Sequence, residues 1–295
     1  MADEVGDVEK GKIAANFLLH SPPGESTEVW QDLKVLLDDE QIVRSKLLPA
    51  LIKYNKDQLT PVSVENSKLR CLVTQYNDLG GGRFADHRTQ QSFKFDHLKR
   101  EATDFQELTL PDDVLALTKP LDDEISKYVE DQFQRGSSSI FGKKSPDTGD
   151  IELTICIEAH HFKSKNFQNG RWRSIWSCTV PSGGLAGEKT VSWTGKIKVQ
   201  VHHFDDGNVQ LLSTKSLELA CPGGREAGFA ADVARKIQEA ETAYQEGLKG
   251  VFFNMSGHVK GFRRPLPVFG EKIPWERLTS LKIGESLQHL QDENN

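Results

Sequence analysis

Two histidine pairs, His160-His161 and His202-His203, are the most obvious metal-binding candidates in this 295-residue chain. Both sit in stretches that alternate apolar and polar residues, so each pair belongs to a strand. Adjacent strand residues point to opposite faces, and neither pair can chelate by itself. One histidine from each pair could meet across strands, but no third ligand is signposted, so no metal or other cofactor is expected. The four cysteines, Cys71, Cys156, Cys178 and Cys221, are far apart and form no C-x-x-C; they read as reduced intracellular thiols. Asp205 and Asp206 run into Gly207-Asn208 and read as turn formers rather than an acid/base pair. The triplet Gly80-Gly81-Gly82 suggests a phosphate cradle. It fits neither G-x-x-x-x-G-K-[ST] nor G-x-G-x-x-G, so a flexible turn is expected. With no G-x-S-x-G, no H-E-x-x-H and no cysteine beside an evident base, the chain does not read as an enzyme.

Charge points instead to a binding protein. Between Lys260 and Ile283 lie six Lys/Arg (Lys260, Arg263, Arg264, Lys272, Arg277, Lys282) against Glu271 and Glu276. This local +4, in a chain of net charge −6, leaves −10 on the remainder. A basic tail on an acidic body is placed to meet an acidic partner, or alternatively docks on its own body. Pro265, Pro267 and Pro274 keep the first half of the tail extended. After them Trp275, Leu278 and Leu281 share one helical face, and Ile283, Leu287 and Leu290 another. The segment N-G-R-W-R-S-I-W (169–176) is basic and aromatic. Its arginines and tryptophans take opposite strand parities, so it reads as an amphipathic strand; with a pI of about 5.9, no nucleic acid is expected.

The elements that must carry this tail follow from periodicity. Residues 8–57 read as three helices, the first closed by S-P-P-G-E (21–25) and the third, Ile42 to Tyr54, kinked or shifted by Pro49. Short strands are expected from Thr60 to Phe95, with G-G-G-R-F-A-D-H-R as a loop. Residues 96–115 read as irregular, and a helix is expected from Pro120 to Phe133. Ser137 to Lys215 reads as an antiparallel meander of about five strands. Phe229, Val233, Ile237, Ala240, Tyr244, Leu248 and Val251 then give the cleanest helical stripe in the chain. It predicts a helix of roughly 25 residues, about 37 Å, ending at Gly250 or a little beyond and covering the sheet. At 37% hydrophobic and 27% charged residues, with no apolar run of membrane-spanning length and an acidic N-terminus unlike a signal peptide, a soluble cytoplasmic protein is expected.

Several stretches together resemble the alpha-subunit family of the heterodimeric F-actin capping protein. They include F-L-L-H-S-P-P-G-E (17–25), R-F-x-D-x-R with S-F-K-F-D-H-L (83–98), N-F-x-N-G-R-W-R-S-x-W (166–176), V-Q-V-H with D-G-N-V-Q-L (199–211), R-R-x-L-P-V (263–268), K-I-x-W (272–275) and L-x-x-x-K-I-G (278–284). The resemblance implies an α+β fold. Its parts are an N-terminal three-helix stalk (1–58), a small β-globule with a connecting helix (59–135), an antiparallel half-sheet shared with a beta subunit (136–218), a long covering helix (225–255) and a C-terminal amphipathic tentacle (258–295). It also implies calcium-independent binding to filament barbed ends, blocking subunit addition and loss, in the cytoplasm at cortical actin. A structural place in a larger assembly such as dynactin is the alternative. Phosphoinositides and capping regulators are further expected partners, and a chain separated from its beta subunit is expected to be poorly soluble. Two of the family's three basic tail positions match Lys260 and Arg264; the third falls at Gly270. The expected actin contacts are Lys260, Arg263, Arg264, Lys272, Trp275, Leu278 and Lys282.

Overall fold

The computed structural model describes residues 6–163, 165, 167–185, 190–204, 209–224 and 226–262, with side chains described as far as Lys249. It groups into two units, Met1–Thr242 and Ala243–Asn295.

The first unit begins with helices α1 (Asp7–Leu19), α2 (Ser26–Leu37), α3 (Glu40–Ile42) and α4 (Leu48–Asp57). The last two join through a π-helical stretch, Val43–Leu47, so the expected third helix is one continuous rod. Its start is fixed by Asp39, whose Oδ1 accepts from the Gln41 and Ile42 amides at 2.7 and 3.1 Å. Pro49 does interrupt the α-helical ladder. The change of register comes just before it, where the Leu48 amide bonds back to Val43, and the residue with no N–H to give is then carried at the start of α4. Leu18, Leu33, Val43, Leu47 and Leu51 form the core between these helices.

Two small sheets follow. β1 (Thr60–Val62) pairs with β2 (Cys71–Val73), while β3 (Asp78–Gly80), β4 (Arg83–Asp86), β5 (Gln91–Asp96) and β6 (Glu101–Glu107) form an antiparallel meander. Phe84, Phe93 and Phe95, packed with Val62, Val64, Cys71 and Val73, are its core. The sequence reading is corrected twice in this region. Arg83–Asp86 is a strand rather than loop, because Phe84 drives into the core while Gly80, Gly81 and Gly82, all at positive φ, make the turn before it. Glu101–Glu107 is likewise a strand, an edge whose charged side chains stay in water. Helix α5 (Asp112–Gln132) starts eight residues earlier than its expected start at Pro120 and runs through that proline. Val114, Leu117, Leu121, Ile125 and Val129 are buried along one stripe that spans it. Several side chains at ~1.5–3 kcal/mol each outweigh a proline's ~3 kcal/mol.

The main sheet has the order β11-β10-β9-β8-β7, all antiparallel. Its strands are β7 (Ser137–Lys144), β8 (Ile151–Lys163), β9 (Gln168–Val180), β10 (Thr190–His203) and β11 (Val209–Pro222). This is the expected meander, with its last strand extended to Pro222. Strict register places Leu153, Ile155, Trp172, Trp176, Trp193 and Ile197 on one face. Helix α6 (Glu226–Phe262) meets that face through Phe229, whose ring lies 6.3 Å from Trp193. It runs on to Phe262, beyond the expected end at Gly250 or a little after it. The opposite face carries Phe141, Cys156, Arg171 and Arg173. There Phe141 and Cys156 pack with Leu59 and Leu72 of the stalk and globule.

Candidate functional site

Two of the stretches that carried the family resemblance meet at the junction of stalk and sheet. In β9, Asn169 is buried and donates from Nδ2 to Glu25 Oε1 at 2.7 Å, linking N-G-R-W-R to S-P-P-G-E. Gly24 sits between them at φ +88°, and a Cβ there would stand 2.8 Å from Asn169 Nδ2. Both the backbone angle and the space exclude a side chain. Arg171 donates to Gln58 Oε1 at 2.9 Å, has its Nε 3.4 Å from Glu158 Oε1, and lies over the Phe162 ring at 5.2 Å. Arg173 donates to the Asp57 carbonyl at 2.5 Å and to Gln200 Oε1 at 2.6 Å. The expected amphipathic strand is therefore corrected: its arginine face is also buried, against the end of α4. Sequence reasoning missed these roles because nothing in the spacing tells a solvated arginine from one capped by a helix carbonyl.

A second network pins α6 to the sheet. Glu241 is 1% exposed and accepts from the Trp176 indole at 3.0 Å and from the Tyr128 hydroxyl at 2.8 Å. Burial pushes its carboxyl above the usual carboxylate range, opposed by the hydrogen bonds it receives. Gly195 lies opposite Trp176 in register, and any Cβ there would fall 2.1 Å from the indole. The expected stripe ran through Ala240; the buried position is Glu241, one helical turn after Ile237. Apolar periodicity cannot find a buried acid.

The histidine pairs stand apart, because β9 runs between β8 and β10. His160 Nδ1 is 2.9 Å from Glu158, and His202 stacks on Phe204 at 4.7 Å. Among the described residues no group of three or more His, Cys, Asp or Glu is placed to hold a metal ion.

Beyond these networks the sheet ends in a long edge. β11 pairs with β10 over fourteen residues, Val209 to Pro222, and among the described residues no strand lies on its other side. That edge is roughly 45 Å of backbone donors and acceptors. Of the expected tail contacts, Lys260 falls in the last turn of α6, its side chain not described. Arg263, Arg264, Lys272, Trp275, Leu278 and Lys282 lie outside the described residues.

Comparison with known proteins decides the kinship. Residues 14–286 match the family model described as F-actin capping protein alpha subunit. The chain belongs to that family. It is 36% identical over 290 residues to the F-actin-capping protein subunit alpha of Caenorhabditis elegans, covering 97% of this chain and 99% of that one. With the Dictyostelium discoideum subunit alpha it shares 31% over 279 residues, covering 94% and 96%. The solved homodimeric actin capping protein alpha subunit from Plasmodium berghei has the same fold at TM-score 0.68. Identity to it is 20%, over 82% of this chain and 92% of that one. The family is one of cytoskeletal actin-binding proteins, not of enzymes.

Proposed function

We propose that this chain is the alpha half of a heterodimer that binds the barbed ends of actin filaments and blocks subunit addition and loss, independently of calcium. The observation that carries this reading is that β11 pairs with β10 over fourteen residues and, among the described residues, has no strand along its other side. An edge of that length is a liability in a monomer and a seam in an assembly. A beta subunit with a half-sheet of its own supplies the missing strand. Ile13, Phe17, Val35 and Leu36 of the stalk, exposed in the single chain, are also consistent with an associated partner.

The tail then supplies the filament contact. Lys260, Arg263, Arg264, Lys272 and Lys282 draw it to an acidic surface. Exposed charge pairs give ~0.2–1 kcal/mol each and act mainly on association rate. Trp275 and Leu278, buried in a cleft of actin, give on the order of 1.5–3 kcal/mol each and hold the end. Gly270 stands where the family has a third basic residue, and Arg263 or Lys272 takes over that charge. Phosphoinositides compete for the same cations. The protein works in the cytoplasm, at cortical actin.

The test is elongation of pyrene-labelled actin from barbed-end seeds, with this chain co-expressed with a capping-protein beta subunit, whole or cut before residue 260. Substoichiometric arrest by the whole dimer, much weakened by the cut, is expected. An intact dimer that leaves elongation unchanged refutes capping and favours a purely structural place in a larger assembly such as dynactin.

A further inference from the structure

On the sheet face away from α6, a cavity of about 190 Å³ opens between the end of α4, the loop after β2, and strands β9 and β10. Lys56, Arg173, Lys196 and Lys198 line it, with Tyr76 at its side. The charges around it do not balance. Lys56 is paired with Asp78, and the Asp57 carboxylate with Lys53 at 3.2 Å. Arg173, Lys196 and Lys198 have no ion-pair partner among the described residues. Arg173 stands directly opposite Lys198 in the β9–β10 register, and Lys196 lies two residues along on the same face. Like charges directly opposite in a sheet are destabilising unless something neutralises them.

Arg173 is 6% exposed. Its two hydrogen bonds go to neutral acceptors, the Asp57 carbonyl and the Gln200 side chain, and its Nε has no partner among the described residues. A buried cation with only neutral acceptors is expensive without a counter-charge. Burial, then the neighbouring Arg171, lowers its guanidinium to about 10, against the smaller opposing pull of Glu158 and Asp57. Burial, then Arg173 and Lys196, also lowers Lys198. The same stretch of chain holds a surplus of positive charge around an open cavity, in a protein that is acidic overall.

We propose that this cavity binds a soluble polyphosphate, with Arg173, Lys196 and Lys198 holding its oxygens. Three cations around one small recess suit a multiply charged oxyanion better than a single carboxylate, and arginine presents a planar fork to phosphate oxygens.

The experiment is calorimetric titration of pyrophosphate, and separately of inositol trisphosphate, into the full-length chain co-purified with a capping-protein beta subunit. Three proteins are compared: the unaltered chain, the double variant K196Q/K198Q, and the tail variant K260Q/R264Q. The first variant changes an exposed lysine and a half-buried one at the cavity, and none of the buried apolar residues of the sheet. The expected result is binding that weakens about tenfold or more in K196Q/K198Q and changes less than about twofold in K260Q/R264Q. A parallel arm sediments the three proteins with vesicles carrying the same inositol phosphate headgroup. Vesicle binding without binding of the free phosphates overturns the soluble ligand. Phosphate binding unchanged in K196Q/K198Q, or lost only in the tail variant, overturns the site. No phosphate binding at all does the same. None of these outcomes depends on whether the protein caps filaments.

Discussion

Glu241 has almost no water around it, and it accepts from both the Tyr128 hydroxyl and the Trp176 indole. Truncation to alanine orphans the Trp176 indole and the Tyr128 hydroxyl, at about 1–3 kcal/mol for each buried group left unsatisfied. Urea unfolding of Glu241→Ala is therefore expected to show a loss of several kcal/mol. Glu241→Gln keeps an acceptor and removes the titration. The folded pKa of Glu241 is raised, so its stabilisation is complete below the ordinary carboxylate range and is lost as pH rises through the folded value. The glutamine variant is thus expected to lose less stability than the wild type on going from pH 5 to pH 8. An equal loss in both would mean that the carboxyl does not titrate there. His87 has the opposite sign. It accepts the Gly142 amide at 3.2 Å, and burial lowers it to about 4. Its contribution is present above its unfolded pKa near 6.5 and falls as pH drops towards 4. Comparing pH 7.5 with pH 5, unfolding free energy is expected to drop by about 1–2 kcal/mol from this residue, and His87→Asn is expected to flatten that drop.

At the scale of elements, the decisive contacts join parts far apart in sequence. Arg88, at the end of the R-F-A-D-H-R stretch, forks onto Asp122 of α5 with two contacts of 2.6 Å and donates to the Ser138 carbonyl of β7 at 3.1 Å. Arg88→Ala leaves Asp122 half-buried without its partner and loosens the globule from the sheet. Breaking such a pair costs up to about 3–5 kcal/mol when fully buried and less here, a loss that thermal unfolding would register. Arg88→Lys restores only part of it, because an ammonium cannot make the two-pronged contact. This level also shows what the sequence can and cannot reveal. The five strands of the meander were legible because apolar and polar residue types alternate along them, even where both faces are buried, and the α6 stripe because Phe229, Val233 and Ile237 recur at helical spacing. β4, β6 and the first half of α5 were not legible. Glycines and charges masked the first two, and Pro120 hid a helix held by its buried face. The networks at Asn169, Arg171, Arg173 and Glu241 were invisible as roles, although the motif containing three of them carried the family resemblance. Polar residues disclose their partners only when the fold brings those partners together, here from 27 residues away for Gln200 to 144 for Glu25.

In the whole molecule the labour is divided between a seam and a tail. Charge reversal at Lys260 and Arg264 is expected to slow capping, more so at low salt, with little change in dissociation. Loss of Trp275 and Leu278 is expected to speed dissociation instead. Single-filament imaging separates the two rates, and a charge reversal acting only on the off-rate would contradict this division. The rest of the scheme depends on β11 being one side of a shared sheet. Hydrogen exchange on the complex co-expressed with a beta subunit tests that most directly, read at each amide of β11 from Gln210 to Cys221. In an interior strand successive amides donate alternately to the two neighbours, so both sets are protected. Slow exchange is expected along the whole strand. Fast exchange at every second amide, the signature of an edge still open to water, would contradict it.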